Sequence, residues 1–400
     1  MKRRLKIIVV GAGIGGLAAA RALALRGHQV ELHEQAAQLG EVGAGLQLGP
    51  NAVKVLYALG LREELHRVAC APDCTATLRW DDGAFVHHEP FQEAFAQYGA
   101  PYLVAHRADL HDLLMRAVDP AAIHRSRRCL SVASTAKGAV ARFAGGPDAE
   151  GDVVIGADGI HSAVRDALWG ETTARYTHYL GWRGVLPMEQ ALAAMDDDNL
   201  RALHRKDVVM WRSPNGTALF YPLRAGKLIN VFAGKFTDEW ADESWTVPST
   251  RAEMIAAFEG WHPTLRRVLG LVEDVYKWAF FDREPLPQWS KGNASLLGDA
   301  AHAMMPTLAQ GAAITIEDGY VLARCLDTHE RPARALAAYE AERIGRAHKV
   351  QLMSRRQFDD NRKIPRPPPL SRSWIYEYDA TSPDATAPEQ TLRAPLSNAR

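Results

Sequence analysis

Near the start of the chain, Gly11-Ala12-Gly13-Ile14-Gly15-Gly16 has the spacing GxGxxG. Glycines so placed serve a backbone that must turn tightly, let a pyrophosphate approach and pack a helix close to a sheet. Glu34 follows about 20 residues on, where an acidic side chain takes ribose hydroxyls. Two further turns carry acids. Asp158-Gly159 follows the apolar run Asp152–Ile155, and Gly298-Asp299 follows Ser295-Leu296-Leu297. The second runs on through His302 and Pro306-Thr307 to Gln310-Gly311-Ala312. A glycine-rich turn without a ligand is the plain reading of GxGxxG alone. It yields here to dinucleotide binding, because strand, helix and Glu34 stand in register.

The elements that must position these residues are legible. Leu5–Val10 reads as a buried parallel strand, and Ile14–Arg26 as a helix closed by Gly27. Gln29–Glu34 reads as the next strand of a right-handed βαβ unit. Asp109–Val118 is an amphipathic helix with Asp109 placed to cap it. Ala309–Leu326 is a helix following the strand Ser295–Gly298. Between about Tyr176 and Phe281 tryptophans, alternating apolar positions and turns replace the helical pattern. There Thr217–Leu223 and Leu228–Ala233 pair around Ala225-Gly226. The expected architecture is α/β: a Rossmann-like nucleotide-binding domain with an inserted β-sheet substrate domain. The first comprises residues 1–70, 101–175 and 282–360, the second 71–100 and 176–281, and 361–400 form a Pro-rich extended tail.

Composition narrows the class. The 400 residues hold 47 Lys plus Arg against 47 Asp plus Glu, so no bulk basic field argues for nucleic acid or an anionic membrane. Cys70, Cys74, Cys129 and Cys325 complete no metal-ligand pattern, so no metal is expected. They read as reduced thiols of a cytoplasmic protein. The basic start followed by apolar residues imitates a secretion signal, but four glycines and Arg21 interrupt it. No run of 18 apolar residues suggests a membrane span.

Taken together, GxGxxG, Asp152–Arg165 with its Asp-Gly turn, and Ser295–Ala313 with its Gly-Asp resemble the three fingerprints of the single-component (class A) aromatic flavoprotein monooxygenases. These are the para-hydroxybenzoate hydroxylase-like group, and the resemblance covers residues 5 to 350. It implies a GR2-type FAD-binding domain, tightly bound FAD, and transient docking of NADH or NADPH, with NADH favoured. The absence of a second GxGxxG agrees, since a stable NAD(P)H domain would need one. Within the group, Gly40–Gln47, His106–His111, Phe281–Pro285 and Trp374–Tyr378 are similar to 3-hydroxybenzoate 6-hydroxylase, salicylate hydroxylase and 6-hydroxynicotinate 3-monooxygenase.

The resemblance also implies roles. Gly11, Gly13, Ile14, Gly15 and Gly16 with Glu34 and Gln35 would hold the ADP half. Arg107 would reach phosphate or ribose, and Leu130 would lie near the adenine. Asp158 would touch FAD and the nicotinamide path. Asp299 would bind the ribityl chain beside Pro306, and the Gly311-Ala312 backbone would face the pyrimidine end of the flavin. The loop Gly43–Pro50, with Gly45, Leu46 and Gln47, would run along the ring. Each has a plainer reading: a turn-stabilising Asp158, a surface Arg107, a locally paired Arg165. His302 reads as a packing residue, since no nearby acid in sequence fixes its tautomer.

The chemistry implied is reduction of FAD, addition of O2 to give a C4a-hydroperoxide, and transfer of OH to an electron-rich ring. The substrate would be a small, hydroxylated aromatic or heteroaromatic acid, hydroxylated with or without decarboxylation. Some relatives carry a base-like His where this chain has Thr307, which cannot ionise near neutral pH. Tyr221 matches a substrate-facing Tyr of the subgroup. Arg183, Arg212 and Arg224 are available carboxylate partners, and Trp182 and Trp211 are available pocket walls. Structural pairing and packing remain the alternative for each. A monomer or homodimer is expected. Rival functions are epoxidation, N-hydroxylation or reduction on the same fold, and a non-catalytic dinucleotide sensor.

Overall fold

The computed structural model describes residues 3–38, 45–238 and 247–382. Residues 43 and 44 of the loop expected beside the flavin lie outside them. Around the β-branched run Lys6–Val10 a six-stranded sheet forms in the order Ser290–Lys291, Ala294–Leu296, Val153–Gly156, Lys6–Val10, Gln29–His33, Ile123–His124. Every pairing is parallel except that of the short outer Ser290–Lys291. Helix Ile14–Leu25 crosses between the first two strands and ends where Gly27, at φ +83°, reverses the chain.

A second, eight-stranded sheet draws its strands from two stretches of chain. Its order is Val247–Pro248, Tyr276–Asp282, Arg175–Pro187, Leu228–Phe236, Gly216–Leu223, Val208–Ser213, Cys74–Arg79, Phe85–Pro90. The protein is therefore mixed α/β. Strand alternation gives this sheet two faces. Trp182, Val209, Trp211, Phe220, Val231 and Ala233 pack in one apolar cluster with Met188, Leu200, Met254 and Leu265 of four covering helices. The opposite face turns toward the six-stranded sheet and its helices, where Tyr221 and Leu223 join the first core.

Several expectations change. Trp182 and Trp211 lie on the helix-covered face, their indole N–H groups donating to Ser249 Oγ at 3.0 Å and His204 Nε2 at 3.2 Å; they are core residues, not pocket walls. Asp109 is no cap. The helix begins at Arg107 after His106, and Asp109 in its first turn receives Arg224 in a two-pronged ion pair of 2.7 and 2.9 Å. Arg224, at φ +50° in the hairpin turn, thus clasps the two parts of the molecule and is committed elsewhere than to a substrate. The long helix begins at Gly311, because Ala309 takes the left-handed conformation.

The tail also departs from expectation. Ser373–Glu377 is helical, Ile375 and Ala380 are fully buried, and Arg346 donates to the Ile375 carbonyl at 2.9 Å. Aromatic residues Trp374, Tyr376 and Tyr378 supplied the apolar surface that a Pro-rich reading overlooked. No helix among the described residues is long and apolar enough to cross a membrane.

His204 illustrates how the core fixes a protonation state. It is 1% exposed; its Nδ1–H donates to Leu200 O at 2.8 Å and Nε2 accepts from Trp211. Burial pushes its pKa down to about 4, so the folded chain holds it neutral while the unfolded chain protonates near 6.5. Stability is therefore full above that pH and is lost as pH falls toward 4. Urea unfolding between pH 7 and 5 should show this, and His204→Gln, which keeps one donor and one acceptor, should flatten the slope by up to about 1.4 kcal/mol per pH unit.

Candidate active site

The first motif forms a cradle whose glycines are required by contact. A Cβ on Gly11, at φ +102°, would lie 2.4 Å from Ala157 O, and one on Gly16 would lie 1.9 Å from Gly11 O. Gly13 is different: a Cβ there would meet nothing within 4 Å, so its bareness opens space above the helix. No side chain caps that helix N-terminus, which leaves its N–H groups and positive dipole end for an anion. Glu34 holds the turn, accepting from Ala12 N–H and Ala36 N–H, both at 2.8 Å, and keeps lone pairs for ribose hydroxyls. Ile14 is buried beneath the turn, and Gln35 is exposed beside it. Arg107 is exposed at the start of its helix, and Leu130 is exposed on the strand Arg128–Ser134.

Asp158 stabilises its own turn. It accepts from Ser162 Oγ at 2.5 Å and Val164 N–H at 3.1 Å, and burial raises its pKa despite those bonds. Arg165 is likewise local, bonding Asp166 and the Ile160 carbonyl. Asp299 behaves differently: exposed at the strand end, it has no hydrogen bond or ion pair to any described residue. Beyond it, Pro306–Leu308 is one turn of 3-10 helix, and Thr307 Oγ1 donates to Ser354 O at 2.5 Å. Helix Gly311–Thr328 again starts without a side-chain cap. A Cβ on Gly311 would meet open space, and Ala312 beside it is half-buried.

The inner face of the eight-stranded sheet closes the site. Tyr221 packs on Gly45 so closely that a Cβ there would lie 2.3 Å from its ring, and Gly45 N–H donates to Asn230 Oδ1 at 2.7 Å. Leu46 is half-buried next to it, and Gln47 Oε1 accepts from Tyr102 O–H at 2.6 Å. On the same face lie Arg183, its guanidinium 4.7 Å above the Trp278 ring, Leu219 and Phe232, and Arg212, whose guanidinium meets the sulfur of Met210. No carboxylate pairs with Arg212 among the described residues.

One cluster escaped the sequence reading. Glu317, Asp318, Arg343 and Arg346 form a buried ionic group, and Asp318 takes the His302 ring at 2.6 Å. His302 therefore has the acidic partner it was expected to lack, sixteen residues on. The signal was present: two acids at inward positions of a helix that otherwise buries Ile314, Ile316 and Val321.

A flavin dinucleotide fits what is present. Two uncapped helix N-termini, two glycines facing open space and one unpartnered carboxylate converge where its phosphates, ring and ribityl hydroxyls need donors and an acceptor.

Comparison with known proteins agrees. The FAD binding domain family matches residues 4–354. The chain is 35% identical to 3-amino-4-hydroxybenzoate 2-monooxygenase PtmB3 of Streptomyces platensis, over 94% of this chain and 97% of that one. It is 38% identical to 6-hydroxynicotinate 3-monooxygenase of Pseudomonas fluorescens, over 88% and 91%. Its fold matches that of Klebsiella pneumoniae HpxO complexed with FAD and uric acid with a TM-score of 0.81, at 26% identity, covering 90% of each. The non-catalytic sensor falls with these matches. The chain belongs to the FAD binding domain family and, along nearly its whole length, to the FAD-dependent monooxygenases of aromatic compounds.

Proposed function

We propose that the protein hydroxylates a small, ring-hydroxylated aromatic or heteroaromatic carboxylic acid at the face between Tyr221 and the Pro306-Thr307 turn, with NADH as the preferred reductant. The observation that carries the acid is Arg212, a cation without an acidic partner on the same sheet face as Tyr221 and Arg183. A carboxylate placed there would gain charge-assisted hydrogen bonds in a site lined by Leu219, Phe232 and Trp278.

The bound flavin supplies electron transfer from the nicotinamide and the activation of O2. The remaining tasks belong to the chain. The Gly13 turn and the helix behind it would hold the pyrophosphate, Asp299 would take a ribityl hydroxyl, and the Gly311 and Ala312 N–H groups at the second helix start would stabilise negative charge on the reduced ring. Burial raises the Tyr221 pKa, so its phenol stays protonated and serves as a hydrogen-bond donor to the substrate, not as a base. The Thr307 hydroxyl donates its hydrogen bond to Ser354 O and so fixes the turn instead of exchanging protons with the substrate. Hydroxylation at the carboxylate-bearing carbon releases CO2, and at any other carbon the acid is retained.

Purified protein supplied with FAD should oxidise NADH faster when hydroxybenzoates, aminohydroxybenzoates or hydroxynicotinates are added, with a hydroxylated product by mass spectrometry. No stimulation across such a panel defeats the aromatic-acid reading. Arg212→Met should raise KM for a carboxylated substrate roughly 30-fold, the equivalent of about 2 kcal/mol for a charged hydrogen bond, with little change for the decarboxylated analogue. Asp299→Ala should lose FAD on gel filtration. Thr307→Ala should retain FAD but leak more peroxide per NADH consumed; unchanged turnover and unchanged leakage would remove Thr307 from the site.

A further inference from the structure

The flavin-facing helix carries two adjacent, fully buried carboxylates, Glu317 and Asp318. Asp318 accepts from Arg343 Nε at 2.8 Å, from His302 Nε2 at 2.6 Å and from the Gly298 backbone N–H at 3.2 Å. Glu317 accepts from Arg346 at 2.8 and 2.9 Å and from Asn51 Nδ2 at 2.6 Å, and it pairs ionically with Arg343 Nη2 at 2.7 Å. The Asn51 amide also donates to Gln310 Oε1 at 3.0 Å. Two arginines thus balance two acids. Burial disfavours both carboxylates, but Arg346 and Arg343 outweigh it at Glu317, and His302 and Arg343 do so at Asp318, holding each below its usual range. Such a group costs desolvation that well-packed apolar residues avoid, so stability alone does not account for it.

Where its arms end does account for it. One arm reaches Gly298, the residue before Asp299. Another reaches Gln310, the residue before Gly311. Its link, Asn51, stands three residues after the strand Gly45–Leu48 that touches Tyr221. We propose that Glu317 and Asp318 are positioning residues for the flavin: through Gly298 and through Asn51 and Gln310 they fix the three backbone stretches that meet its ribityl chain and ring. This inference rests on the assignment of those stretches to the flavin made above.

The test compares Asp318→Asn and Asn51→Ala with Asp282→Asn. Asp282 is a 1% exposed carboxylate paired with Arg175 and Arg355, and its side chain bonds to none of those three stretches. FAD affinity of the apoprotein is read by fluorescence titration, and the midpoint potential of the holoprotein by dye equilibration, on samples whose circular dichroism shows them folded. Asp318→Asn should weaken FAD binding at least tenfold. If oxidised and reduced flavin are affected unequally by that factor, the two-electron potential moves by about 30 mV. Asp282→Asn should leave both within twofold of the parent even where it lowers the melting temperature as much. Asn51→Ala, which breaks one link and removes no charge, should weaken binding and shift the flavin absorption band, and it decides the matter if Asp318→Asn does not fold. Unchanged affinity and potential in the folded variants, or equal changes in Asp282→Asn, overturn the inference. If Asp299→Ala also leaves FAD binding unchanged, the flavin assignment itself has failed; if Asp299→Ala weakens binding while these do not, only the positioning role is lost.

Discussion

Two helices lie side by side in this protein only because Gly15 and Gly319 have no side chains. A Cβ on Gly15 would sit 2.2 Å from Thr315 Cγ2, and one on Gly319 would sit 2.8 Å from Ala19 N. The spacing of these contacts, 15 against 315 and 19 against 319, makes the helices parallel and in step. Their N-termini therefore open at the same end of the sheet. Parallel dipoles placed together repel, and an anion at the shared positive end offsets that repulsion. The fold accepts an unfavourable arrangement of its own backbone that a diphosphate-bearing ligand relieves, and segments 300 residues apart in sequence build one binding surface.

That surface was legible from local rules because each part is a turn whose chemistry is written in adjacent residues. GxGxxG, Glu34, Asp158-Gly159 and Gly298-Asp299 each declare a backbone requirement, and strand periodicity placed them at strand ends. The FAD family followed from their order. The role of Gly15 was less visible: it lies inside the motif, yet its constraint comes from Thr315, a partner that no local pattern names.

What sequence could not resolve were choices made by tertiary contact. Trp182 and Arg183 are neighbours, and only the sheet's two faces decide that one is core and the other shares a face with Tyr221. Arg224 carried the same charge as Arg212, but a hairpin turn brought it to Asp109. His302 looked isolated because its acid lay sixteen residues away on another helix. The C-terminal aromatics read as tail because the surface they cover, around Lys54 and Arg346, is assembled from distant segments.

The contact between Gly45 and Tyr221 has a mechanical meaning. Asn230 grips the Gly45 amide from one strand while the Tyr221 ring fills the space a side chain would need on the next. The strand expected along the cofactor and the sheet expected to hold the substrate are thereby geared together, without slack. Neither the Gly45 backbone nor the Tyr221 ring has free space toward the other, so these two strands can shift only together.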